Sequence, residues 1–341
     1  MKVLKRLLIG AGILAGLFCL NYWMNHQIFV RHMKIESASL PEEFYDFRIV
    51  QLTDIHSIRS QEQMEKILKK VRKEQPEVIV VTGDLVDSDY YTNSANVIAA
   101  ETENKVTAEK EKEMEKSTEG NAKEIEKSTA PTAEFEIAEA IPDIATLQLM
   151  EELLAIAPVY MVYGNHEMIL LDDPENNPLK VAMEEAGVVL LNHEKVRLEK
   201  NGEFIWLTGV QDPIVLYKDP LFADSGNNNR ERLAAELDYV LEDVKEEDYV
   251  VLLSHRPEYF EMYTEYPVDL ALTGHAHGGQ IRIPFIGGLY APSQGWFPKY
   301  TSGLYEDGDF KMITSRGIGD SKKLMRVFNP PEIISVQLVT Q

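Results

Sequence analysis

Five short, largely apolar runs dominate the chain: FRIVQLT at 47–53, EVIVVT at 77–82, PVYMVY at 158–163, YVVLL at 249–253 and LALT at 270–273. A strand with both faces covered shows such a run, whereas a strand with one wet face alternates. Between the runs lie segments with helical spacing at 61–73, 144–156, 178–186 and 230–242; in the first, Met64, Ile67, Leu68 and Val71 mark one face. Strands alternating with helices predict an α/β layered domain. Further strands are expected near 188–191 and 204–209, and 196–198 with 204–207, joined by EKNGE, reads as a hairpin. The sheet is therefore expected to be mixed.

The apolar runs end on a restricted set of residues. The first ends in Asp54 and His56, the second in Gly83 and Asp84, and the third in Gly164, Asn165, His166 and Glu167. The fourth ends in His255, and the fifth in GHAH, which carries His275 and His277. Ligands of open α/β sheets sit beyond the carboxyl ends of the strands, so these groups are expected to converge on one crevice. Hard carboxylate and carboxamide oxygens mixed with imidazole suit Mn, Fe or Zn ions. The lone cysteine, Cys19, removes a thiolate site and an internal disulfide from consideration. Glycines before Asp84, Asn165 and His275 allow close backbone approach. The formal charge of −22 argues against nucleic acid as a partner.

The amino-terminal stretch is of a different kind. Lys2, Lys5 and Arg6 precede LLIGAGILAGLFCLNYWM at 7–24, which is uncharged and about long enough to cross a bilayer as a helix. Tyr22 and Trp23 stand where an aromatic belt would lie. No small-residue cleavage site follows, and Phe18 before Cys19 does not suit lipidation, so residues 1–30 are expected to be an uncleaved anchor. Its basic flank predicts a single-pass protein of the cell membrane with the remaining 31–341 outside the cytoplasm. Within that domain, 92–134 is dense in Glu, Lys, Ser and Thr and lacks aromatic residues, which reads as a solvated low-complexity insertion.

The ordered set D-x-H, G-D, G-N-H-E, H and G-H-x-H, from Asp54 to His277, resembles the signature of the calcineurin-like metallophosphoesterase superfamily. The stretches GGQIRIPFIGGLYAPSQGWFPKYTSGLY, SRGIGDS and RVFNPPEI are similar to its membrane-anchored bacterial branch, the YkuE/YaeI-type phosphodiesterases. The resemblance implies a β-sandwich flanked by helices with a dinuclear site at one edge. It implies one metal held by Asp54, His56, Asp84 and His277, and a second held by Asp84, Asn165, His255 and His275, with Asp84 bridging. His166 would contact the phosphate or protonate the leaving oxygen, and Glu167 would orient His166. The implied reaction is hydrolysis of a phosphodiester or pyrophosphate by a metal-bridging hydroxide, with lipid-linked or cell-envelope compounds as candidate substrates. A phosphomonoesterase, a protein phosphatase and a non-catalytic metal-binding module are the alternatives.

Other residues divide between roles. Arg59, Arg282 and Arg316 are candidate phosphate or headgroup contacts or plain surface arginines. His193 reads as structural, and His26 and His32 as residues of the membrane interface. Trp206, Trp296, Tyr300 and the aromatic, glycine-rich stretch 285–305 belong either to a cleft wall or to the core.

Overall fold

Burial explains why the apolar runs become strands. In the computed structural model, which describes residues 2–89, 143–171, 177–319 and 326–341, every residue of Val78–Thr82, Val250–Leu253 and Leu270–Thr273 is buried. The expected insertion at 92–134 lies outside the described residues. In chain order the strands are β1 (Phe29–Ser37), β2 (Arg48–Leu52), β3 (Val78–Thr82), β4 (Val159–Val162), β5 (Val189–Leu190), β6 (Glu194–Lys200), β7 (Glu203–Gly209) and β8 (Val250–Leu253). They continue with β9 (Leu270–Thr273), the short pairs β10 (Arg282–Ile283), β11 (Gly287–Gly288), β12 (Tyr290–Ala291) and β13 (Gly295–Trp296), then β14 (Gly303–Asp307), β15 (Phe310–Thr314) and β16 (Glu332–Thr340).

Two six-stranded sheets form, ordered β1-β16-β2-β3-β4-β5 and β14-β15-β9-β8-β7-β6. Both are mixed: β2, β3 and β4 run parallel, as do β7, β8, β9 and β15, while β6–β7 and β14–β15 are hairpins and β16 runs antiparallel to β2. Between the sheets lies a core of Ile49, Val80, Val162, Leu207, Val251, Leu272, Ile334 and their neighbours. Helices α2 (Gln61–Glu74), α3 (Ile144–Leu154) and α4 (Pro178–Ala186) pack a second apolar layer onto the first sheet. Helix α5 (Asn229–Val240) covers the other sheet through Leu233, Leu237 and Val240. The result is the expected sandwich flanked by helices. Caps set the helix starts: Ser60 accepts from the Gln63 amide, a contact worth about 1 kcal/mol.

The first helix, α1 (Lys2–Asn25), precedes this sandwich, and its segment Val3–Asn25 is long and apolar enough to cross a bilayer. Its last turns touch the domain: the Asn21 and Asn25 amides donate to the Arg326 carbonyl, and the Phe328 amide donates to Asn21 Oδ1. The next strand begins at Phe29 and pairs with Glu332, so the sheet starts before the expected boundary at 30/31. His32 lies in β1 and meets Glu74, at the end of α2, at 2.8 Å.

Candidate metal centre

The carboxyl ends of β2, β3, β8 and β9 face one another across the sandwich edge, and each turns sharply there. Asp54, His56, Asp84, His275 and His277 all hold left-handed backbone, with φ between 45° and 62°. Non-glycine residues in that region are uncommon and concentrate where the surroundings over-determine them. Two glycines show how tight the turns are. A Cβ on Gly164 would stand 2.4 Å from Asp84 Oδ1, and one on Gly274 would stand 2.5 Å from Asp54 Oδ2.

These turns bring the donors into two groups that share one carboxylate. Asp54, His56, Asp84 and His277 offer ligand atoms within 4.8 Å of one another, as do Asp84, His255 and His275. His277 Nε2 is 3.4 Å from Asp54 Oδ1 and 3.2 Å from His56 Nε2. His255 Nε2 lies 3.3 Å from Asp84 Oδ2 and 3.2 Å from His275 Nδ1. Asn165 follows β4 between Gly164 and His166, both of which lie against Asp84, and its Oδ1 is buried with no hydrogen-bond partner. An orphan buried acceptor in a segment packed on a buried carboxylate suits a cation. The residues present therefore fit a pair of divalent ions.

Electrostatics divide the donor rings. Burial pushes His56 down to about 4 and holds His275 and His277 well below the usual imidazole range. Three neutral rings with free lone pairs result, the form a metal ligand needs. Burial would lower His255 as well, but Asp84 beside it, helped by Asp54, raises it to about 10. Burial opposes ionisation of Asp84, yet His255, His166 and His56 together keep it well below the usual carboxylate range. Asp54 is pushed up to about 6 by burial. The ring of His255 is oriented from behind, since its Nδ1 meets the Thr82 carbonyl at 2.8 Å and leaves Nε2 facing the site.

His166 and Glu167 take different places from each other. The His166 ring stands edge-on to His56 with centroids 4.7 Å apart. Its Nδ1 accepts from the Ser88 amide at 3.3 Å, with the Ser88 hydroxyl 3.2 Å away, so the ring proton sits on Nε2. Glu167 does not orient that ring as expected. Fully buried, it receives the amides of Asp84 at 2.8 Å, Val86 at 3.1 Å and Gly164 at 2.7 Å, and so staples two ligand-bearing turns together. Burial, then the Asp84 charge, pushes its carboxyl up to about 7. Glu167→Gln leaves one of these amides facing an amide group, which costs about 1–3 kcal/mol. The thermal midpoint is expected to fall in step; an unchanged midpoint with a lower turnover number would restore the orienting role.

Several groups here were given no role from the sequence. Ser88 follows the Asp84 turn, and buried Arg326, the first residue of the RVFNPPEI stretch, has its Nη2 3.4 Å from His277 Nδ1 and 2.9 Å from the Arg316 carbonyl. Asn329 donates to the His277 carbonyl from the same segment. Of the candidate arginines, Arg59 pairs with Asp87 at 2.6 Å beside the His56 carbonyl, whereas Arg282 and Arg316 lie outside the donor groups. His193 packs on Phe222 and bonds Gln211, remote from the centre. Tyr300 is buried, Trp206 half-buried and Trp296 exposed.

A two-sheet sandwich with two Asp/His donor groups meeting at one carboxylate defines a metal-dependent phosphohydrolase. The chain belongs to the calcineurin-like phosphoesterase family, whose model matches residues 47–279. It is 25% identical to the uncharacterized metallophosphoesterase YkuE of Bacillus subtilis (strain 168), over 92% of this chain and 86% of that one. It is 29% identical to the phosphodiesterase YaeI of Escherichia coli (strain K12), over 56% of this chain and 62% of YaeI. Over a shorter segment, 24% of this chain and 27% of the relative, it is 34% identical to the UDP-2,3-diacylglucosamine pyrophosphatase LpxG of Chlamydia muridarum (strain MoPn / Nigg).

Proposed function

We propose that the chain is a membrane-anchored, dinuclear phosphoesterase acting on phosphodiester or pyrophosphate bonds of lipid-linked or cell-envelope compounds, with its domain outside the cytoplasm. The observation that carries this reading is the sharing of Asp84 between the two donor groups. Asp54, His56, Asp84 and His277 would hold one ion, and Asp84, Asn165, His255 and His275 the other. Bound there, two divalent ions, Mn, Fe or Zn by the donor chemistry, would supply an activated water and offset the charge that builds on a phosphoryl group.

The chain's own residues do the rest. His166 presents a proton on Nε2 while the Ser88 amide occupies Nδ1, so the ring is set to donate a hydrogen bond to a phosphoryl oxygen. Surrendering that proton to a leaving group would leave an anionic ring, so of the two roles the family allows, phosphate contact is favoured. The name of YaeI supports a diester, and that of LpxG a diacylated pyrophosphate. A cleft of about 540 Å³ between α1 and the sandwich supports a lipid-linked substrate: Phe18, Tyr22, Ile55 and Ile318 line it, together with Arg59.

Assays of the purified full chain in detergent test this. Chelation is expected to abolish hydrolysis of bis-p-nitrophenyl phosphate and Mn²⁺ to restore it, with two metal equivalents bound at full activity. Preference for the monoester would turn the reading to a phosphatase. Two bound equivalents without turnover on either ester would make the chain a binding module.

A further inference from the structure

Beyond the metal centre the chain grows two small hairpins; the turn of the first faces solvent, whereas that of the second carries Ser293, whose hydroxyl lies 3.4 Å from His275 Nε2. The loop carrying His275 and His277 runs on through Gly279 and Gln280 into β10–β11, and the Leu289 amide bonds back to the Gly279 carbonyl before β12–β13. Phe285 at the first tip is fully exposed, and Ile286, Trp296 and Phe297 are each about two-thirds exposed, at 62%, 67% and 66%. Phe285 and Ile286 on the first turn, with Trp296 at the end of β13 and Phe297 directly after it, are four large apolar side chains held out to water, a poor arrangement for water and a familiar one for a bilayer surface.

The neighbouring charges and the position of α1 make the case specific. A cleft of about 470 Å³ at the base of the first hairpin is lined by Arg282, Arg316, Phe285 and Phe328. Arg31 and Arg316 both meet the single carboxylate of Glu332, at 3.1 and 3.5 Å, which leaves this patch basic on a chain of formal charge −22. Phe328 also donates its amide to Asn21 of α1, four residues before that helix ends. At 1.5 Å per residue, Asn21 sits about 6 Å from the end of the helix, near the depth of a bilayer interface. The first hairpin therefore stands beside the point where an apolar helix would leave the membrane.

We infer that the turn of β10–β11 and the outgoing end of β13 dock on the lipid surface, with Phe285, Ile286, Trp296 and Phe297 entering the headgroup region and Arg282 and Arg316 facing anionic headgroups. This inference rests on the reading of α1 as a membrane helix. Because the hairpins continue the loop bearing His275 and His277, docking fixes the height and tilt of the metal centre over the bilayer. The bonds of Asn21 and Asn25 to Arg326 and Phe328 hold the domain to the helix on one side, and docking would add a second support.

Tryptophan fluorescence tests it, since the chain has three tryptophans. The full chain is placed in vesicles of neutral and anionic phospholipid carrying bromine near the headgroup end of the acyl chains. With Trp296 alone kept (Trp23→Phe, Trp206→Phe), its emission is expected to be quenched, and Phe285→Ser with Ile286→Ser to relieve the quenching. With Trp23 alone kept (Trp206→Phe, Trp296→Phe), quenching reports the helix. Quenching of Trp23 without quenching of Trp296 overturns the docking and leaves the anchor standing. Absence of quenching at both removes the membrane reading as well.

Discussion

Asp84→Asn will reduce hydrolysis of bis-p-nitrophenyl phosphate by the full chain to the background rate, and it will do so by emptying both ion sites. Asp84 is the residue common to the two donor groups, its Oδ2 lies 3.3 Å from His255 and 3.9 Å from His56, and its Oδ1 accepts the His166 amide. An amide in its place has one acceptor oxygen and no charge to offset two dications, so metal bound per chain is expected to fall together with activity. The fold should survive, because the backbone amide of Asp84 stays bonded to Glu167. Metal analysis and unfolding midpoints separate these effects. Full metal content with lost turnover would show that Asp84 acts on the substrate rather than through the ions.

The second large effect belongs to His166. His166→Ala is expected to lower the turnover number by about 10²–10³-fold, the range seen when one donor to a developing oxyanion is removed. Bound metal should stay at the wild-type level, because His166 is absent from both donor groups. Ser88 offers a control within the same contact. Ser88→Ala keeps the backbone amide that bonds His166 Nδ1 and loses only the hydroxyl, so its cost should be small. Loss of metal in His166→Ala would reassign the residue from substrate contact to ligand.

Much of this arrangement was legible in the sequence because the informative features are local. A buried parallel strand writes itself as a continuous apolar run, and the polar residue after it marks the strand end that faces the crevice. Asp54, Asp84, Asn165, His255 and His275 could therefore be expected in one place before any distance was known. The layered class and the β6–β7 hairpin were readable for the same reason. The pairing of β1 with β16 was not: Phe29 and Glu332 lie three hundred residues apart, and neither segment carries a mark of the other. The role of Glu167 escaped for a related reason. Its three partners are backbone amides, which every residue type presents, so only their positions distinguish a staple from an orienting carboxylate.

The place of β16 in the first sheet also has a consequence for how the protein is made. It runs between β1 and β2, so among the described residues β16 is the strand with which β1 pairs in that sheet. Residues 29–37 leave the ribosome early and must then wait for 332–340 before they acquire any ladder partner. Contacts of such wide sequence separation form late and slowly, because the loop must close before the pairing rewards it. During synthesis the segment next to α1 is thus an unpaired strand edge. Assembly of the sandwich becomes an event that follows elongation, and a chain shortened before residue 332 would present that open edge for good.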